Sequence, residues 1–145
     1  MPARILVVDD EETVCGFLER LLSRAGYDVV TEESGQAAIA RAHSEPFDLL
    51  LVDKNLPGLT GLDVIEAIRV GAPYTPALLM TAYPEPLLGR RVRLEGYLAK
   101  PFDSIDTVLA AVEEVLALCA TEAARREKRD DDTDEKTPVM FLRLK

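Results

Sequence analysis

Four segments of this 145-residue chain place acidic, hydroxyl or basic side chains directly after short apolar runs. Ile5–Val8 runs into Asp9, Asp10, Glu11 and Glu12, and Phe47–Val52 runs into Asp53. Ala77–Met80 meets Thr81, and Gly96–Ala99 meets Lys100, which precedes Pro101. If these runs are strands of one open parallel sheet, the polar groups all stand beyond the carboxyl ends of strands, where such sheets bind ligands. The first and third strands are neighbours in the commonest short arrangement, so Asp9, Asp10 and Asp53 converge. Two unit charges about 4 Å apart repel by about 4 kcal/mol at an effective dielectric of about 20. The group can take up protons, pair with Lys100, or hold a divalent cation. Oxygen-only ligands favour Mg²⁺, whose remaining water positions suit a phosphoryl oxygen. Glu11 and Glu12 read as acids favoured at a helix start by its macrodipole. Alone, Asp53 would read as a turn residue, Thr81 as a strand-end hydroxyl and Lys100 as a surface lysine. Their shared position is what points to chemistry.

Apolar periodicity supplies the elements that must hold these groups. Val14, Phe17, Leu18, Leu21 and Leu22 form a stripe at helical spacing, which Gly26 ends. Tyr27–Thr31 reads as the second strand. Ser34 can cap a helix carrying Ala37, Ala38, Ile39 and Ala42. The turn-rich loop Asn55–Gly61 leads to a third helix marked by Leu62, Val64, Ile65 and Ile68. A long last helix is capped by Asp103 or Ser104 and faces inward through Ile105, Val108, Leu109, Val112, Leu116 and Cys119. The alternation predicts an α/β fold, a parallel sheet with helices on both faces. Between strands four and five, Pro84 and Pro86 leave room for a turn or two of helix within Leu87–Leu94.

Composition narrows the function classes. The net charge is −9, with 10 Lys+Arg against 19 Asp+Glu in residues 1–119 and 7 of each in residues 120–145. Such acidity argues against direct nucleic-acid binding by this domain. No run approaches the ~20 apolar residues of a membrane span, and residues 1–8 lack the pattern of a secretory leader. Cys15 and Cys119 fall in helical stretches and read as buried thiols, which suits a reducing compartment. Residues 122–136 hold almost nothing to bury. Their first part can extend the last helix through charge pairs, and the run Asp130–Asp134 should unravel it.

The segments VVDDEE (7–12), LLLVDKNLPGLTG (49–61), LLMTAY (78–83) and GYLAKPF (96–102) together resemble a response-regulator receiver domain, the phosphoacceptor of two-component signalling. The resemblance covers residues 3 to about 119, which places the domain at 1–119 and a charged extension at 120–145. It implies a doubly wound, flavodoxin-like sheet of order 2-1-3-4-5. It also implies a job for each residue. Asp53 accepts the phosphoryl group. Asp10 and Asp53 ligate Mg²⁺, Asn55 lends its backbone carbonyl, and Asp9 acts mainly through water. Lys100 and Thr81 contact phosphoryl oxygens, the Lys100–Pro101 peptide is cis, and Pro57 and Gly58 shape the loop beside the acceptor. Thr81 and Tyr97 form the switch. The implied partners are a sensor histidine kinase or phosphotransfer protein and an unknown downstream protein, in the bacterial cytoplasm, with a homodimer compatible. The domain would assist its own phosphorylation and dephosphorylation without being an enzyme.

The sequence departs from the family pattern in the proline-broken, basic segment after Thr81, where the fourth helix is shortened or irregular. A remodelled readout surface, with Arg90–Arg93 on an acidic partner, is the corresponding expectation. Two other functions compete: an interaction module independent of phosphorylation, and an aspartate-nucleophile phosphohydrolase. His43 reads as a surface residue with no part in either.

Overall fold

The computed structural model describes residues 2–82, 92–102 and 104–132, with residues 123–132 given as backbone only. The strands are β1 (Arg4–Val8), β2 (Asp28–Glu32), β3 (Leu49–Asp53), β4 (Ala77–Thr81) and β5 (Gly96–Ala99). They form one parallel sheet of order β2-β1-β3-β4-β5. The helices are α1 (Glu12–Arg24), α2 (Gly35–Ser44), α3 (Gly61–Arg69) and α4 (Ile105–Asp132). This is the doubly wound order expected. Of the turn or two of helix expected within Leu87–Leu94, the part up to residue 91, with Arg90 and Arg91, lies outside the described residues, and Val92–Leu94 are not helical.

Strand side chains alternate between the two faces of the sheet. Ile5, Val7, Leu49, Leu51, Leu78, Met80 and Leu98 are buried with α1 and α4. Leu6, Val8, Leu50, Val52, Ala77 and Leu79 are buried with α2 and α3. Both faces are therefore covered, which explains the nearly unbroken apolar strands.

Local chemistry ends the helices where the sequence says it should. Gly26 has φ +103°. Its N–H donates to the Ser23 carbonyl at 3.0 Å, and the Tyr27 N–H donates to the Leu22 carbonyl at 3.1 Å, a paired closure of the last turn. Tyr27 is spent on that closure, so β2 starts at Asp28 rather than at Tyr27. Ser34 Oγ accepts from the Ala37 N–H at 3.1 Å, and Ser104 Oγ from the Thr107 N–H at 3.1 Å. Of the two expected caps for α4, Asp103 lies outside the described residues.

Two burial expectations need correction. Ile105 is 52% exposed. It is the first residue of α4, one turn ahead of the buried row Val108, Val112 and Val115, and the last of these was missed. Cys15 is buried, but Cys119 is only half-buried, beside Leu116 where α4 leaves the core. The helix continues beyond Cys119 to Asp132, inside the acidic run expected to unravel it.

Candidate functional site

Register decides which polar residues meet. Val8 is level with Val52, and Asp53 is level with Met80. The alternation Ile5-Val7-Asp9, Leu49-Leu51-Asp53 and Leu98-Lys100 carries three charged side chains onto the α1/α4 face as the strands end. The backbone holds the ladder past the last paired residues. The Asp9 N–H donates to the Glu32 carbonyl at 3.2 Å, and the Lys100 N–H to the Thr81 carbonyl at 2.8 Å. The same alternation buries an apolar core below and gathers charge above it.

There Lys100 Nζ lies 2.9 Å from Asp9 Oδ2 and 3.3 Å from Asp53 Oδ1. One carboxylate oxygen from each of Asp9, Asp10 and Asp53 lies within 4.8 Å of the others. Asp9 is fully buried, Asp53 is 7% exposed, and Asp10 is open to solvent. The Asp9 carboxylate is fixed at both oxygens, because Oδ1 accepts the Glu11 N–H at 2.8 Å. Burial, and then the Asp9 charge, raise the Asp53 carboxyl above its ordinary range, against the pull of Lys100. Burial alone would lower the Lys100 ammonium, but hydrogen bonding and charge from Asp9 and Asp53 outweigh it, and the net shift is upward. One ammonium cannot neutralise three carboxylates, so the pocket keeps excess negative charge. Oxygen donors at this spacing, with one side open to water, suit a hard divalent cation.

The cleft above these groups has a volume of about 600 Å³. Asp10, Asp53, Asn55, Thr81 and Lys100 line its polar side, and Phe17 and Phe102 its apolar side. The two rings stack with centroids 6.0 Å apart. Thr81 is buried at the end of β4, whereas Tyr97 on β5 is 39% exposed. The Lys100–Pro101 peptide is cis, as expected. Gly58 has φ +81° in the loop after Asp53. Asn55 bridges Thr60 across that loop, and Thr60 and Asp63 exchange capping bonds at the start of α3. His43 is exposed at the end of α2, its ring nitrogen 3.2 Å from the Ala67 carbonyl, remote from the cleft.

Two residues escaped the sequence reading. Glu11 has the sequence signature of a helix-start acid, yet its Oε1 lies 3.5 Å from Lys100 Nζ. Its place directly after Asp9 and Asp10 was the available signal. Gly61 has the sequence signature of a loop glycine and is the first residue of α3. A Cβ on it would stand 2.3 Å from the Asp53 carbonyl oxygen and 3.0 Å from its carbon. Only a bare Cα lets α3 begin this close to the acceptor strand.

Fold and cleft together define a doubly wound α/β protein with an acidic pocket at the carboxyl ends of β1 and β3. The model of the response regulator receiver domain matches residues 5–113, and the chain belongs to that family. It is a receiver domain of two-component signalling. It is 33% identical over 147 residues to the alkaline phosphatase synthesis transcriptional regulatory protein PhoP of Bacillus subtilis, covering 99% of this chain and 61% of that protein. It is 36% identical over 115 residues to the response regulator ArlR of Staphylococcus epidermidis, covering 77% of this chain and 52% of that protein. The chain thus spans between half and two thirds of the length of these curated relatives. Among solved structures, the chemotaxis protein CheY4 of Vibrio cholerae superposes with a TM-score of 0.75 at 32% identity, over 79% of this chain and 99% of that one. Among the described residues, no helix is long and apolar enough to cross a membrane.

Proposed function

We propose that this domain is a phosphorylation switch whose acceptor is Asp53. The observation that carries the reading is the shared contact of Lys100 Nζ with Asp9 and Asp53, beside a third carboxylate within 4.8 Å. The donor is a phosphohistidine on a sensor kinase or phosphotransfer protein. An Asp53 oxygen attacks phosphorus and the donor's phosphorus–nitrogen bond breaks. The electron pair returns to the imidazole, which regains a proton from solvent. Water later attacks the same phosphorus, the bond to Asp53 breaks, and orthophosphate leaves. Phosphoryl transfer asks mainly for alignment and charge neutralisation. The rigid strand ends align, and Lys100 receives one phosphoryl oxygen while the Thr81 hydroxyl donates to another.

The oxygen donors fit Mg²⁺. Asp10 and Asp53 would hold it through carboxylates and Asn55 through its backbone carbonyl, with Asp9 acting through water. Once bound, the ion supplies the positive charge that Lys100 alone cannot. As the phosphoryl group draws Thr81 toward it, the exposed Tyr97 ring turns inward, and the changed surface is read by a partner protein. Residues 1–119 act as the switch and 120–145 as a charged extension of it. The site of action is the cytoplasm.

Incubating the protein with acetyl phosphate and Mg²⁺ and weighing it intact tests the reading. One added phosphoryl group is expected, lost over time and absent in Asp53→Asn. A phosphoryl group still gained by Asp53→Asn, or none gained by the wild type, would reject the assignment.

A further inference from the structure

The first turn of α1 carries an anomaly. Glu11 occupies the N-cap with an extended backbone, φ −94° and ψ 115°, yet its side chain makes no capping bond. Glu is not among the residues that cap well, because its oxygens sit too far from its own backbone to close the turn. The extra length goes elsewhere. Glu11 Oε1 stands 3.5 Å from Lys100 Nζ, across the mouth of the cleft. Lys100 therefore faces three carboxylates, at 2.9 Å (Asp9), 3.3 Å (Asp53) and 3.5 Å (Glu11).

An ammonium has three N–H donors and no more. A phosphoryl oxygen can be received by Lys100 only if one carboxylate lets go. Asp9 is buried and fixed at both oxygens. Asp53 is the acceptor and must stay in line. Glu11 makes the longest contact, and its side chain is 61% exposed. It is the partner that yields at least cost.

We propose that Glu11 is a positioning residue that occupies Lys100 in the resting state and is exchanged for the incoming phosphoryl group. It acts through Lys100 and touches no reacting atom. It slows entry of an anionic donor and holds the Lys100 amine in place until one arrives. The inference rests on the acceptor reading of Asp53 and adds a regulator to that site.

Three variants separate this contact from general charge. Glu11→Gln removes the charge. Glu11→Asp keeps the charge but withdraws it from Lys100 by one methylene. Glu12→Gln removes a neighbouring charge that makes no contact with Lys100. Phosphorylation by acetyl phosphate at saturating Mg²⁺ is followed by intact mass, and the Lys100 side-chain resonances by NMR before donor is added. Glu11→Gln and Glu11→Asp are both expected to speed phosphorylation by about two- to fivefold, the span of an exposed ion pair, and both should shift the Lys100 resonances. Glu12→Gln should do neither. If Glu11→Asp matches the wild type, or Glu12→Gln matches Glu11→Gln, net charge alone is responsible and the proposal fails. It fails equally if the Lys100 resonances stay put in both Glu11 variants. A wild type that gains no phosphoryl group rejects the acceptor reading itself, a result distinct from a wild type that reacts at the same rate as all three variants.

Discussion

The two ends of the sheet handle charge in opposite ways. At the amino ends of the strands, Arg4 pairs with Asp28 at 2.9 Å and Glu45 at 2.8 Å and lies over the Phe47 ring at 4.7 Å. Arg41 pairs with Glu45, and Arg69 with Glu95. Each of these paired acids has a guanidinium, and the groups are at least partly exposed. At the carboxyl ends, Asp9, Asp53 and Glu11 share the amine of Lys100, a third aspartate (Asp10) stands with Asp9 and Asp53 within 4.8 Å, and two of the acids are buried. Balanced surface pairs contribute little to stability and explain nothing about function. An unbalanced buried set works against the folded state and persists only because something else completes it. The difference identifies the carboxyl end as the place where a cation and a phosphoryl group belong.

The largest effect should come from removing the one amine. Lys100→Met leaves the fully buried Asp9 and the nearly buried Asp53 without a cation. Breaking a buried pair on one side costs about 3–5 kcal/mol, and the lower figure applies here because the Lys100 side chain is 18% exposed and partly screened. Urea unfolding in chelator should show that loss, and added Mg²⁺ should restore part of it. Arg4→Met at the other end should give only a small fall that salt erases. Equal losses for the two variants, or no response of Lys100→Met to Mg²⁺, would abolish the distinction between the ends.

A smaller effect is expected where the acceptor strand meets α3. In Gly61→Ala the new methyl collides with the Asp53 carbonyl at 2.3 Å and with Leu79 Cδ1 at 3.1 Å. Overpacking of this kind costs about 1–3 kcal/mol, and relief requires Asp53 to move. Stability and the rate of phosphorylation should therefore fall together. Gly58→Ala is the contrast, since its Cβ meets nothing within 4 Å and only the positive φ resists it. It should lose some stability and leave the phosphorylation rate nearly intact. A Gly61→Ala protein that keeps its rate would show that this close approach does not position Asp53.

The legibility of the molecule follows the same division. The strands, the Gly26 stop and the Ser34 cap could be read from sequence, because short apolar runs, positive φ and short capping side chains leave local marks, whereas the strand order followed from the resemblance to receiver domains. Asp9, Asp53, Thr81 and Lys100 could be read because each directly follows an apolar run, so that strand length alone brings them level. Glu11 and Gly61 could not. Their roles depend on distances between elements, from α1 to the end of β5 and from α3 to the backbone of β3, which no local pattern encodes. Ile105 fails for a related reason. Helical period assigns it to the inner stripe, but period does not say where the sheet beneath the helix ends.

The smallest expected effect concerns a thiol buried behind the carboxyl-end pocket. Cys15 lies behind the pocket, its thiol donating to the Asp9 carbonyl at 3.3 Å. Burial, followed by the Asp9 charge, pushes it up to about 11. The unfolded chain has an ordinary thiol, so between about pH 9 and pH 11 the folded state holds the proton that the unfolded state releases. The unfolded state then binds fewer protons, and stability falls as pH rises through that window. The contribution is fully present below the ordinary thiol value and is lost above the folded one. The slope is at most about 1.4 kcal/mol per pH unit from this single group. Cys15→Ala leaves a small cavity, so its absolute stability is lower and only the slope is informative. Urea unfolding from pH 8 to pH 10 should give a steeper decline for the wild type than for Cys15→Ala. Parallel declines would mean that burial and the Asp9 charge together do not hold the proton on Cys15 in the folded state.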